Sequence, residues 1–538
     1  MANLSKGSFA ALVALVVGAL CLLLETTLPW LVRFPEALVV PATDWVGTAM
    51  TWLLQLLKPT ARAFSALMSY PMEATNLVLG GSPWILVIAV VTAIGWMLGG
   101  VSMALMAVVG LGFVLASGYW HESMNTLSLV AVSVPLALIV GGGIGVLANE
   151  YPRFRKPVQA MLDIMQTVPT FAYLTPLLVL FGFGPVVGLI ASAIYAAPPM
   201  ARNVLLGLER IEPEIKEAAI MAGGTRLQQL FQVEIPSAAT QILVGVNQCL
   251  MAALSMVIIA AVIGGFDDIG WEVLLTMRKA QFGPALMAGL VIVVFAVIID
   301  RMSGTLAQDS RRRYDPRVAW GILGVGIVAS ALTWTSLPNP SDYAMFDGAV
   351  DAVDAGLSAF TTANWQWLAA IKNNVLFYGL LPLRIGLDQA VLPFTWGFQW
   401  TAQMSLGLFA AGAVAGVVLA LRGQVTWGIL TLILIGMLET GITNLPWPFV
   451  LVGVAALGWV ASGRGLAVLS VALLLTILLS GLWDRAMLSL YLSGAAVFAC
   501  ALAGGGIGLL CAVSPLAWKI TRPICDMLQT IPLFVFLI

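Results

Sequence analysis

The chain has 538 residues, of which 60% are hydrophobic and only 9% charged, with 25 Lys plus Arg against 26 Asp plus Glu and a formal net charge of −1. Soluble domains carry about 25% charged residues, so a soluble enzyme, a disordered chain and a nucleic-acid binder are all poor readings. Long uncharged runs recur from end to end, and at about 20 apolar residues per crossing they specify an all-α, polytopic membrane protein.

In chain order, Lys6 precedes an apolar run from Phe9 to Leu24 with no small-residue cleavage pattern behind it, which predicts a first transmembrane helix and not a removed signal peptide. Pro41 to Gly81 carries Lys58, Arg62 and Glu73 and reads either as an interfacial segment or as a hairpin. Trp84 to Trp120 is long enough for two helices broken near Gly99-Gly100, and Ser123 to Asn149 gives one more. Ile164 to Ala201 gives two, broken at Gly182-Phe183-Gly184-Pro185. A polar stretch from Arg202 to Pro236 follows, and then spans at Thr240–Gly265, Ala280–Ile299 and Val318–Ser336. Further spans are expected at Ser405–Leu421, Val425–Leu438, Phe449–Ser462, Leu466–Leu482 and Leu490–Val513, with a last one starting near Met527.

Lys and Arg collect in alternate loops: Arg153, Arg155 and Lys156; Arg202, Arg210, Lys216 and Arg226; Arg301 and Arg311 to Arg317; then Arg422, Arg464, Lys519 and Arg522. Placing these in the cytoplasm gives a consistent alternation. The opposite loops are poor in both residues, and Pro338 to Phe360 carries four aspartates instead.

The sequence also repeats itself. Gly141-Gly142-Gly143-Ile144-Gly145 recurs as Gly504-Gly505-Gly506-Ile507-Gly508, and Asp163 to Pro169 recurs as Asp526 to Pro532. At the same offset Pro83-Trp84 matches Pro446-Trp447, Gly95-Trp96 matches Gly458-Trp459, and Trp120 matches Trp483. The loop charges give both copies one direction, so the repeat is parallel. This predicts an N-terminal helix and interfacial segment over 1–82, a first unit over 83–317, connecting spans and an outer loop over 318–445, and a second unit over 446–538. The second copy ends inside an apolar run, Phe534 to Ile538, without a flanking charge, and reads as a fragment of a longer unit.

Several features carry little chemistry. The five cysteines are scattered and form no CxxC pair, and the one histidine, His121, cannot build a metal site alone. The Gly141 to Gly145 run has no strand before it and no Lys-Ser/Thr after it, so it reads as a helix-packing face and not as a phosphate loop. Arg311 to Arg313 reads as a topology anchor, and Asp163 as a helix N-terminal cap.

The loop between Arg202 and Pro236 carries the most specific signal. Pro213 to Met221 has Pro at its start and acids in its first turn, as a short helix should. Gly223-Gly224 would end that helix by supplying a left-handed residue, and Arg226 to Val233 would form a second. The result is a helix-turn-helix facing the cytoplasm, a shape suited to docking.

This loop resembles the signature of the membrane subunits of ABC importers, Glu-Ala-Ala-x3-Gly-x9-Ile-x-Leu-Pro, through Glu217, Ala218, Ala219, Gly223, Val233, Ile235 and Pro236. Leu162 to Pro169, Tyr195 to Pro199, Asn247 to Met251 and Leu254 to Ala260 are similar to the glycine betaine/proline permease branch. The resemblance implies a type I ABC importer-like helical bundle in the bacterial inner membrane. It implies compatible solutes such as glycine betaine, proline or choline. It also implies two cytoplasmic ATPase subunits and an extracytoplasmic solute-binding protein as partners. In it, Glu217 would fix the coupling loop by charge-assisted contacts, Gly223 would allow its turn, and Pro236 would set its return to the membrane. ATP would be used by the partner, since the chain contains no Walker motif, and no catalytic residue, metal or cofactor is expected in it.

Gln166 and Pro169, echoed by Gln529 and Pro532, read equally as lining a central path and as capping and kinking two equivalent helices. Asn247, Gln248, Ser255 and Met256 read either as path-lining or as interhelical bonding and packing groups. An ion-coupled secondary transporter is the competing reading, against which stand the parallel repeat and the lack of mid-span charges.

Overall fold

The computed structural model describes residues 6–307, 314–333 and 339–530. Among these every regular element is helical, as a chain must be that satisfies its backbone inside lipid without closing a barrel. Among the described residues nine helices are long and apolar enough to cross a membrane, and five shorter apolar helices accompany them. The helices pack as two compact units, one of residues 52–360 and 520–538, the other of residues 1–51 and 361–519.

The first of these centres on three helices, Trp120–Glu150, Pro185–Glu209 and Ala239–Gly264. Small residues set their spacing. A Cβ added at Gly141 would lie 2.4 Å from the Ala197 carbonyl oxygen, and one at Gly145 2.7 Å from that of Ala201. Gly188 faces Ala260 and Gly245 faces Asn203 in the same way. In lipid, where apolar side chains gain nothing by leaving tails for each other, such backbone approach is what holds helices together. Leu129, Leu189, Val257 and Met256 fill the centre. A second cluster joins Trp84–Gly99, Val101–Ala116 and Phe282–Ala307 to the short Ile269–Arg278 helix. Pro316–Thr333 lies along Trp84–Gly99, with Gly326 against Ala89.

In the other unit the N-terminal helix Lys6–Leu23 packs on Trp447–Ser462, where a Cβ at Gly18 would meet the Phe449 ring at 2.8 Å. Ser8 bonds Thr426 at 2.7 Å on a second neighbour, Val425–Thr440. Ala402–Leu421 and Val425–Thr440 meet at Gly416 and Gly428, and Trp447–Ser462 pairs with Arg464–Leu479 through Gly458. Trp483–Val513 is held at its start, where Trp483, Met487 and Tyr491 are buried. Its glycine run is different from the first copy's: among the described residues Gly504, Gly505, Gly506 and Gly508 meet nothing within 4 Å.

Three expectations change. Ala42–Gly81 is one continuous 40-residue helix, so no hairpin forms there. At 1.5 Å per residue it is about 60 Å long, twice a bilayer's hydrocarbon core of about 30 Å, and cannot stand upright across one. Residues read as the start of a span at Ile164 instead belong to an amphipathic helix, Pro152–Thr167, which meets Thr170–Phe181 at 100°. Asp163 therefore sits in the later part of a helix, not at an N-terminus, and it pairs with Arg202. Pro532, the side chain of Gln529, Arg311 to Arg313 and the apolar end from Phe534 lie outside the described residues.

Candidate functional site

Between Pro185–Glu209 and Ala239–Gly264 the chain makes the helical loop expected from its sequence. Pro213 opens the Pro213–Met221 helix at a position where a missing N–H costs nothing. Ile211 and Ala219 turn inward, and the Lys216 ammonium donates to the Leu208 carbonyl at 3.0 Å, tying the helix to the span before it. The helix ends at Gly223, whose φ of +75° is the left-handed conformation that a Cβ disfavours. Thr225 then caps the next turn: the Gln228 N–H donates to its hydroxyl, and the Gln228 side-chain oxygen accepts from the Thr225 N–H at 2.8 Å. Gln229–Glu234 takes a wider π turn just ahead of Pro236, a residue that brings no N–H to the ladder.

Arg226 is the anchor of this loop. Its Nε donates to Glu150 Oε2 at 2.8 Å, at the end of Trp120–Glu150, and its Nη2 donates to Glu234 Oε2 at 3.2 Å. Further bonds from Nη1 to Glu234 and Nη2 to Glu150 complete two forked contacts. Glu234 is only 2% exposed, so its carboxylate needs that counter-charge. The two acids in turn hold the Arg226 guanidinium above its ordinary pKa and permanently charged. One side chain thus clasps the loop's own far end at Glu234 and fastens the loop to a span that ends more than 70 residues earlier.

The outward face of the loop is apolar. Met221 is 87% exposed, and Ile220, Leu227 and Phe231 are exposed beside it. Ala218 and Glu217 are exposed as well, and Ala219 is buried. Among the described residues Glu217 makes no ion pair within the chain. Within the loop, charge-assisted contacts come from Arg226.

The other residues singled out by sequence fall at three places. Gln166 and Pro169 are exposed at the 100° bend, which Tyr173 braces by donating to the Met165 carbonyl at 2.7 Å. Asn247 donates to Asp300 at 3.2 Å and accepts from Ser303 at 2.6 Å. Gln248 accepts from Asn203 at 2.8 Å, and Asn203 accepts from Gln241 at 2.6 Å. Ser255 donates to the Met251 carbonyl of its own helix at 2.9 Å, and Met256 is buried. Asn203, Gln241 and Asp300 were not foreseen as members of these polar clusters. Arg226, Glu150 and Glu234 were not foreseen as a triad, although an acid set between Val233 and Ile235 at a helix entrance already implied a buried charge in search of a partner.

At the opposite end of Trp120–Glu150, Asn125 donates to the Asp267 carbonyl at 2.6 Å and the Thr126 hydroxyl accepts from the Ile269 N–H at 3.1 Å. Asp268 caps Ile269–Arg278, accepting from the Trp271 N–H at 2.8 Å. It is 1% exposed, and burial pushes its carboxyl up to about 7 despite those N–H bonds, with the Asp267 charge adding to the rise.

Comparison with known proteins is consistent with this arrangement. The family described as binding-protein-dependent transport system inner membrane component matches residues 133–312, which include the whole loop. The trimethylamine N-oxide transport system permease protein TmoV of Ruegeria pomeroyi is 30% identical over 526 residues, 95% of this chain and 72% of that protein. The glycine betaine/proline betaine transport system permease protein ProW of Escherichia coli is 34% identical over 52% of this chain and 78% of its own length. The glycine betaine transport system permease protein OpuAB of Bacillus subtilis is 37% identical over 44% and 83%. These likenesses do not favour an ion-coupled secondary transporter. The chain belongs to the inner-membrane components of binding-protein-dependent transport systems, and is a multi-pass, all-α permease of the ABC importer type.

Proposed function

We propose that this chain forms the translocation path of an ATP-driven importer for small compatible solutes carrying a quaternary ammonium or amine-oxide group, glycine betaine, proline betaine and trimethylamine N-oxide among them. The substrates named for its relatives support that class. Two cytoplasmic ATPase subunits drive it, and an extracytoplasmic binding protein delivers the solute. Residues 83–317 and 446–538 act as two related permease units joined by 318–445, behind an N-terminal segment, 1–82.

The observation that carries the reading is the loop from Pro213 to Pro236. It is braced from within by Arg226 and presents an exposed apolar face of Ile220, Met221, Leu227 and Phe231 to the solvent. Apolar side chains held rigidly at the surface mark a protein partner. Glu217, Ala218, Ala219, Gly223 and Pro236 make up the ATPase-coupling element, with Glu217 supplying the exposed charge at its rim. Closure of the ATPase pair on ATP then moves the loop as a lever, and Arg226 passes that motion to Trp120–Glu150 through Glu150. Along the path, Gln166, Pro169, Asn247, Gln248, Ser255 and Met256, with Gln529 and Pro532 from the second copy, present or support the polar groups that the solute passes.

The test is solute uptake into proteoliposomes holding the permease, the ATPase subunits and the binding protein. Glu217→Lys should abolish ATPase capture and uptake while the permease still inserts in the membrane. Uptake equal to the wild type, or uptake driven by an ion gradient with the ATPase omitted, would overturn the proposal.

A further inference from the structure

In the unit formed by residues 1–51 and 361–519, a cavity of 720 Å³ opens where residues 32–39, the segment before Ala402–Leu421 and the start of Trp483–Val513 come together. Arg33, Arg384 and Arg485 line it, one from each segment, together with Glu36 and Asp484. We propose that this cavity is a phosphate-anion site filled by the headgroup of an anionic phospholipid of the outer leaflet.

Four observations lead there. The first is charge. Three guanidinium groups outnumber two carboxylates, and among the described residues none of the three pairs with an acid within 4.0 Å. Planar guanidinium forks match phosphate oxygens in a way that lone ammonium groups do not.

The second is position along the membrane normal. Leu478, at the far end of the helix Arg464–Leu479, and Gly481 just past it line the cavity, and so does the beginning of the helix whose other end leads to Lys519. The alternation of charged loops puts this end outside, where Lys and Arg are depleted. Three arginines gathered there run against that rule and call for a ligand.

The third is depth. Trp30 and Trp447 lie 6.3 Å apart at this end, Phe34 stands edge-on to Trp447 at 5.6 Å, and the Trp447 indole donates to the Trp30 carbonyl at 3.0 Å. Tryptophans with this mix of apolar contact and one polar bond settle at headgroup level. The cavity's remaining walls set the polar Thr443 and Asn444 beside apolar Val39, Leu445, Leu478 and Leu488. A headgroup with the first carbons of its chains fits a concave site so lined, whereas a docking protein would meet a flatter surface.

The fourth is the repeat. At the offset that aligns Trp120 with Trp483, Arg485 corresponds to Glu122. The positive charge is peculiar to one copy, so the shared helical scaffold does not require it.

The test uses the purified 538-residue chain in neutral detergent, with native mass spectrometry for retained lipid and melting temperature as a second readout. The chain should retain phosphatidylglycerol over phosphatidylcholine and melt higher with it. Arg33→Gln, Arg384→Gln and Arg485→Gln combined should abolish the preference. The milder Arg485→Lys, which keeps the charge and loses the fork, should weaken it about tenfold, the worth of one charge-assisted bond. Equal stabilisation by inorganic phosphate, with no preference between the two lipids, would keep the anion site but assign it to a soluble phosphate. No preference and no phosphate effect in the wild type would overturn the proposal. So would a triple variant that retains phosphatidylglycerol fully, or one that keeps the lipid but loses capture of the binding protein, which would make this a protein-docking surface.

Discussion

Replacing Arg226 by Gln should loosen the coupling loop without unfolding the permease. Glu234 is almost wholly buried, while the Arg226 side chain keeps 48% of its exposure. Removing one partner of a fully buried ion pair costs about 3–5 kcal/mol. Water reaches the guanidinium here and weakens the pair, so the expected cost is about 2 kcal/mol. That corresponds to a roughly 30-fold smaller equilibrium preference for the braced loop. Hydrogen exchange in lipid nanodiscs should show amide protection over residues 225–236 falling by about that factor, while the core of Ala239–Gly264 keeps its own. Uptake should fall with the loop's protection. Adding Glu234→Gln to Arg226→Gln should recover most of the loss, because no buried charge is then left unpaired. Protection in Arg226→Gln that stays within about twofold of the wild type, or a double variant that exchanges faster than the single one, would show that Arg226 does not brace the loop.

The two glycine runs give a paired test. Gly141→Val should destabilise by about 1–3 kcal/mol, because its Cβ would meet the Ala197 backbone oxygen, whereas Gly504→Val in this chain should change the melting temperature little, having nothing within 4 Å to strike. Gly223→Val places a β-branched residue at φ +75°, at about 1–2 kcal/mol, and should lower ATPase capture by roughly tenfold. Asp268 predicts a pH effect: its folded pKa of about 7 exceeds the unfolded value of about 4, so the folded state holds the proton more tightly. Stability should therefore fall as pH rises from about 4 to 7 and level off above, and Asp268→Asn, which still caps the helix, should flatten that slope in melting curves.

Much of this was visible in the residues. Uncharged runs of bilayer length marked the crossings because burial in lipid tolerates so little else. The spacing of Glu217, Gly223 and Pro236 marked the loop because helix starts, left-handed turns and helix re-entries each demand particular residue types. What was hidden depended on partners far apart in sequence. Nothing near Arg226 announces Glu150, so the brace of the loop emerged only when Trp120–Glu150 was set beside it. Asp163 looked like a cap because the helix Pro152–Thr167 is polar enough to pass for a loop, and its pairing with Arg202 shows otherwise. Over Pro41 to Gly81 a hairpin stayed open as a reading, yet the helix Ala42–Gly81 runs on through Pro59 and Pro71.

The seating of Lys6–Leu23 against Trp447–Ser462 has a bearing on how the protein is made. Synthesis proceeds N-terminus first at about 5–20 residues per second, so with Gly18 and Phe449 on the order of 400 residues apart the earliest helix waits roughly 20–90 seconds for its mate. Throughout that interval its glycine notch faces lipid or a membrane insertase, while Trp84–Gly99 receives Pro316–Thr333 much sooner. A ribosome stalled before Val425 would release a polypeptide in which Lys6–Leu23 lacks both of its neighbours, which makes that helix a natural mark for membrane quality control.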